Sequence, residues 1–131
     1  MKLKIIDIDI NKPKPKATIH YSGKLGFNIE AIEFMGLQNQ ASFLVATDEE
    51  KEDVLYLLEE NESKNTAKVA KAGNYYYLNV GDAFDTLNYD YKGHTIMFDI
   101  TKDEYEGKAV FILKKRREIK RKQKDEKEED R

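Results

Sequence analysis

A chain of 131 residues without cysteine has room for one modest hydrophobic core, and it excludes both a disulfide framework and any thiolate metal site. Its 23 Lys and Arg nearly balance 25 Asp and Glu, for a net charge of −2, which excludes wholesale wrapping of nucleic acid by a uniformly basic surface. No apolar stretch approaches the roughly eighteen residues that a membrane helix needs, so the sequence reads as soluble and cytoplasmic, without a membrane partner. The charge comes in blocks. Residues 1–27 carry six Lys and two Asp, residues 28–66 ten acids and two Lys, and residues 114–124 eight Lys or Arg and one Glu. Phosphate contact, if the chain makes any, is therefore local.

In chain order, residues 1–16 read as an N-terminal strand followed by a linker. Leu3, Ile5, Ile6, Ile8 and Ile10 alternate with polar residues, and Pro13 and Pro15 fix an extended connection. Ala17 to Tyr21 and Leu25 to Phe27 are strands broken at Gly23. Asn28 suits a helix N-cap and Glu30 the first turn, with Ile29, Ile32, Met35 and Phe34 as the apolar side and Gly36 as the stop. Ser42 to Thr47 and Val54 to Leu58 form a hairpin around the acidic tip Asp48 to Asp53. After a polar hinge, Ala67 to Lys71 and Tyr75 to Tyr77 are strands. Asn79 with Asp82 gives a capping-box pattern for a second helix, whose buried side is Val80, Ala83, Phe84 and Leu87. Thr95 to Ile100 and Ala109 to Leu113 close the pattern. Residues 114–131 hold one apolar side chain and are expected to be solvated helix or disorder.

The order strand, capped helix, hairpin thus occurs over residues 17–60 and again over 67–113. Glu30-Ala31-Ile32-Glu33 lies against Asp82-Ala83-Phe84-Asp85, Met35 against Leu87, Leu37 against Tyr89, and Leu55-Tyr56-Leu57-Leu58 against Val110-Phe111-Ile112-Leu113. Neither unit can make a core alone, and interleaved they can close a small barrel. Gly23-Lys24-Leu25-Gly26-Phe27-Asn28, followed by a helix, a turn and an acidic-tipped hairpin, resembles the AbrB/SpoVT swapped-hairpin family, whose MraZ-like members carry two units in one chain. The resemblance implies a mainly β fold with short helices, a tandem-repeat swapped-hairpin β-barrel, and DNA binding in transcription regulation. Lys24 matches the family's Arg before the apolar strand. Asn28 stands where the family has Pro, and Glu30, Glu33, Asp82 and Asp85 replace basic residues at the helix starts.

Four other features bear on function. Lys114, Lys115, Arg116, Arg117, Lys120, Arg121 and Lys122 make a basic tail suited to phosphate. Lys68 and Lys71 beside Tyr75-Tyr76-Tyr77 mix cations with rings as a single-strand platform does, with Tyr76 on one face of the strand and Tyr75 and Tyr77 on the other. The acidic runs lack calcium-loop spacing, and His20 and His94 are isolated, so no metal or cofactor is expected. No nucleophile, triad or phosphate-cradling motif appears, so no catalytic residue is assigned. The expected function is a non-enzymatic DNA-binding or transcription-regulatory protein touching phosphate with Lys24, Lys68, Lys71 and the tail, with Tyr76 as a stacking ring. The alternatives are a structural or protein-interaction module, with a protein partner or a homo-oligomer, and a single-stranded nucleic-acid binder.

Overall fold

Alternating apolar residues too few to bury a flat sheet are satisfied when the sheet closes on itself, and this chain takes that solution. The computed structural model describes residues 1–6, 13–39, 42–87 and 89–121. Its elements are β1 (Lys16–Ile19), β2 (Lys24–Phe27), α1 (Ile29–Met35), β3 (Ser42–Asp48), β4 (Lys51–Glu59), β5 (Ala67–Ala72), β6 (Tyr75–Asn79), α2 (Gly81–Thr86), β7 (His94–Tyr105) and β8 (Lys108–Lys120). The strands form a closed antiparallel barrel in the order β1-β2-β6-β5-β3-β4-β8-β7. Four hairpins supply the strands in pairs. Each of the four seams between hairpins, β2·β6, β5·β3, β4·β8 and β7·β1, joins a strand from β1–β4 to one from β5–β8.

The interior is filled by one face of each strand. Ile96, Ile19, Leu25, Leu78 and Val69 form a cross-strand row, all but the last fully buried, while Phe98 of β7, Phe43 of β3 and Phe111 of β8 add their rings to the same core. Phe111 meets Phe43 edge-on at 6.2 Å. α1 closes one part of the barrel with Ala31, Ile32 and Met35, and α2 another with Phe84. Asn28 Oδ1 accepts from Ala31 N–H at 2.8 Å, and Gly36, at φ 63°, stops the helix while Leu37 N–H bonds back to Ile32 C=O at 3.1 Å. Both ends of α1 therefore fall where the sequence puts them.

Several expectations are corrected. Ile29 and Phe34, assigned to the buried side of α1, are exposed, because the helix turns Ala31 inward instead. Asn79 belongs to β6 and does not cap α2. The N-cap is Val80, without a side-chain bond, because its N–H is held by Gly23 C=O at 3.2 Å where the backbones of Gly23 and Gly81 touch. Residues Met1–Ile6 form no strand, and the rest of the predicted first strand lies outside the described residues. The largest difference is Lys114 to Lys120, which is neither helix nor coil. It continues β8, because the hairpin register lays it against His94 to Asp99, so backbone pairing holds it where core burial cannot.

Candidate nucleic-acid interface

Because strand side chains alternate, each buried row has an outward row beside it. Next to the buried row through Ile19 and Leu25 runs Arg117, Met97, Thr18, Gly26, Tyr77 and Ala70, six strands wide. Lys24 and Asn79 form the pair on one side of it, and Lys16, Asp99 and Lys114 the row on the other. Lys68, next to inward-facing Val69, points outward on β5. The outer wall of β8-β7-β1-β2-β6-β5, which runs round six of the barrel's eight strands, thus carries Lys16, Lys24 and Lys68 and, on β8 across the ring from β6, Lys114 and Arg117. Asp99 is the acid in these rows, and Arg116, the extra residue of a β-bulge, reaches it at 3.7 Å. Lys68 is paired with Glu62 at 2.6 Å. Among the described residues, Lys16, Lys24, Lys114 and Arg117 have no carboxylate within ion-pair distance.

Aromatic rings lie toward the β6 end of this wall. Tyr75 and Tyr77 stack with centroids 6.1 Å apart and planes at 28°, and Lys24 Nζ sits 4.7 Å above the Tyr77 ring. Tyr75 lies over Gly26, where any side chain would collide with it. Its hydroxyl is 2.8 Å from His20 Nε2. Burial raises the Tyr75 pKa, whereas burial, then Arg121 and Lys24, lower that of His20, so the pair is held neutral near pH 7. Lys24 beside these rings offers a cation for a phosphate oxygen next to flat ring surfaces for sugar or base.

The remaining residues singled out in the sequence lie elsewhere. Tyr76 faces inward and packs against the core, so it is not an exposed stacking ring; Lys71, its cross-strand partner, holds Nζ 5.5 Å from its centroid. Lys115 points to the inner side of the β7–β8 ribbon, bonded to Asp53 at 3.0 Å and Glu118 at 3.3 Å, and the Asp53 bond raises its pKa. Lys120 is on that same side, opposite His94. Arg121 is a clamp: Nε and Nη2 donate to Tyr91 C=O at 3.2 and 3.0 Å, with the guanidinium 5.8 Å from the Tyr21 ring. Lys122 lies outside the described residues. Lys16, His20, Tyr75 and Tyr77 are members of the wall that sequence reasoning leaves out of the binding set; the alternation of Tyr75-Tyr76-Tyr77 is the signal that could have found the two rings. Among the described residues no three His, Asp or Glu side chains gather as a metal-ligand set, and no helix is long and apolar enough to cross a membrane.

Fold and wall together define an eight-stranded antiparallel barrel whose outer side carries cations on β1, β2, β5 and β8 and stacked rings on β6. Compared with family models, curated proteins and solved structures, the chain gives no match.

Proposed function

We propose that this protein is a non-enzymatic DNA-binding, transcription-regulatory module of the cytoplasm that holds the phosphate backbone against the outer wall of β8-β7-β1-β2-β6-β5. One observation carries the reading. The register brings Lys24 against the Tyr75–Tyr77 pair, with Lys16 two strands away on β1 and Lys114 and Arg117 further round the barrel on β8, while the dense acidic runs stand on the hairpin tips, Asp48 to Asp53 and Asp103 to Glu106. A segregation of this kind gives a chain of net charge −2 a local positive field. We further read the barrel as a duplicated swapped-hairpin barrel resembling the AbrB/SpoVT family. In support, the order strand, strand, helix, strand, strand occurs twice, and exchanging β1–β4 with β5–β8 returns the same ring of neighbours.

The test is fluorescence anisotropy of labelled duplex and single-stranded oligonucleotides at several salt concentrations. Removing one cation that neutralises a phosphate lowers the log–log salt slope by about 0.9, and Lys24→Glu with Arg117→Glu should reduce affinity at low salt at least about tenfold with an unchanged far-UV spectrum. No binding by the wild-type chain at low ionic strength, or full binding by the double variant, refutes the assignment. Tighter binding of single strands than of duplex, abolished in Tyr77→Ala, moves recognition from phosphate to the stacked rings.

A further inference from the structure

The outer wall is curved, and curvature decides which form of DNA can use all of it. Lys114 and Arg117 on β8 are followed round the ring by Lys16 on β1, Lys24 on β2 and the Tyr75–Tyr77 pair on β6. By way of β7, β1 and β2, β6 stands four of the ring's eight steps from β8, on the opposite side of the barrel. A DNA duplex is stiff over about 150 base pairs, so it meets a barrel of this size along one side. It can lie against Lys24 and the rings, or against Lys114 and Arg117, but not against both. A single strand bends freely enough to follow the wall.

The rings point the same way for a separate reason. Tyr75 is partly exposed, stacks on Tyr77 with centroids 6.1 Å apart, and is held across Gly26 by its bond to His20. The bases of a duplex already stack on one another and turn no face outward. Each base of a single strand has a face to give, and aromatic side chains beside cations are the surface that takes it. Lys24 Nζ, 4.7 Å above the Tyr77 ring, supplies the cation.

The outward residues also set the course. Between the β8 cations and the rings stand Met97, Thr18 and Gly26, all uncharged, with Lys16 on β1 beside them. The acid on this side, Asp99, is met by Arg116 at 3.7 Å. The other way round the ring, the outward pairs of β3 and β4 are Leu44 with Leu58 and Ala46 with Tyr56, which offer no cation to a phosphate.

We propose that the ligand is single-stranded DNA that runs round the barrel from β8 over β7, β1 and β2 to β6, its phosphates on Lys114, Arg117, Lys16 and Lys24 and its bases stacked on Tyr75 and Tyr77. This rests on the reading of the wall as a DNA-binding surface and adds the form of the DNA and its course. Four steps of about 4.8 Å make a path of about 19 Å at the backbone, and more at the height of the side chains. A strand within the usual site size of a small barrel, about 4–16 nucleotides, covers it.

The test is anisotropy at low salt with labelled oligothymidine of about 12 nucleotides and a duplex of the same length. The strand should bind at least about tenfold more tightly than the duplex, and Tyr75→Leu/Tyr77→Leu should cost the strand at least about fivefold. Lys24→Glu and Arg117→Glu should each weaken the strand several-fold, with losses in log affinity that add, because one molecule touches both places. Lys51→Glu, at the β3–β4 tip and off the course, should change it little. A duplex bound as tightly as the strand, a strand indifferent to Arg117→Glu or to the loss of the rings, or an equal loss in Lys51→Glu overturns the proposal and leaves the wall as a DNA-binding surface. Binding of neither form overturns that reading and this one together.

Discussion

Replacing Gly26 by Ala tests the construction of the outer wall more sharply than any charge reversal. A Cβ at this position falls on the Tyr75 hydroxyl, 2.6 Å from Cζ and 3.1 Å from His20 Nε2. The backbone there needs no unusual φ, so the substitution strains nothing except the ring above it. Tyr75 is 39% exposed and can swing away, which gives up its bond to His20 and its stack on Tyr77. A partly exposed hydrogen bond contributes about 0.5–1 kcal/mol and an aromatic pair about 0.5–1.5 kcal/mol. Alanine in a strand returns about 0.5 kcal/mol of chain entropy relative to glycine. The net loss is about 1 kcal/mol, which for 131 residues lowers Tm by about 4 °C. Thermal and urea unfolding of the single variants and of the double variant with Tyr75→Ser form a cycle. In the Tyr75→Ser background Gly26→Ala should be neutral or mildly stabilising, so the coupling is about 1 kcal/mol. Equal losses in both backgrounds refute the idea that the ring over Gly26 is what the glycine serves.

Asn28 joins the helix cap to the linker, accepting from Ala31 and Lys16 and donating to Lys14; Asn28→Ala should cost about 1–2 kcal/mol in urea unfolding, and Asn28→Asp, which keeps both accepted bonds, clearly less. Similar losses in the two variants contradict the assignment. His20 is held below its ordinary 6.5 by burial, then Arg121, then Lys24, so the unfolded chain takes up a proton first as pH falls. Stability from this residue is therefore kept above about pH 6.5 and lost as pH drops below it. The wild type should lose stability relative to His20→Gln between about pH 7.5 and 5.5, and a difference that stays constant with pH contradicts the sign.

Local signals are legible in the sequence and register is not. Asn28 and Gly36 mark the ends of α1 because a cap is a contact over a few residues, and the acidic hairpin tip between β3 and β4 is read from composition alone. The strand Lys114 to Lys120 is illegible for the opposite reason: its partners are backbone groups of His94 to Asp99, and nothing in a run of Lys and Arg announces them. Asn79 has the chemistry of a cap, yet a tertiary contact between Gly23 and Gly81 fixes the start of α2 one residue later. The wall itself draws on six strands. Lys24 stands out by its local setting, whereas Lys16, Tyr75 and Tyr77 join it through pairings across the barrel.

The seams of the barrel have a consequence for the order in which the protein comes into being. All four cross between β1–β4 and β5–β8, and β8 lies between β4 and β7. While the chain is being synthesised, the first two hairpins have no strand of their own half to join beyond their turns, and their apolar faces must wait in water. The ring shuts only after β8 has emerged, so the nascent chain presents a long interval of exposed strand edges, and its folding is governed by distant pairings that are slow to find.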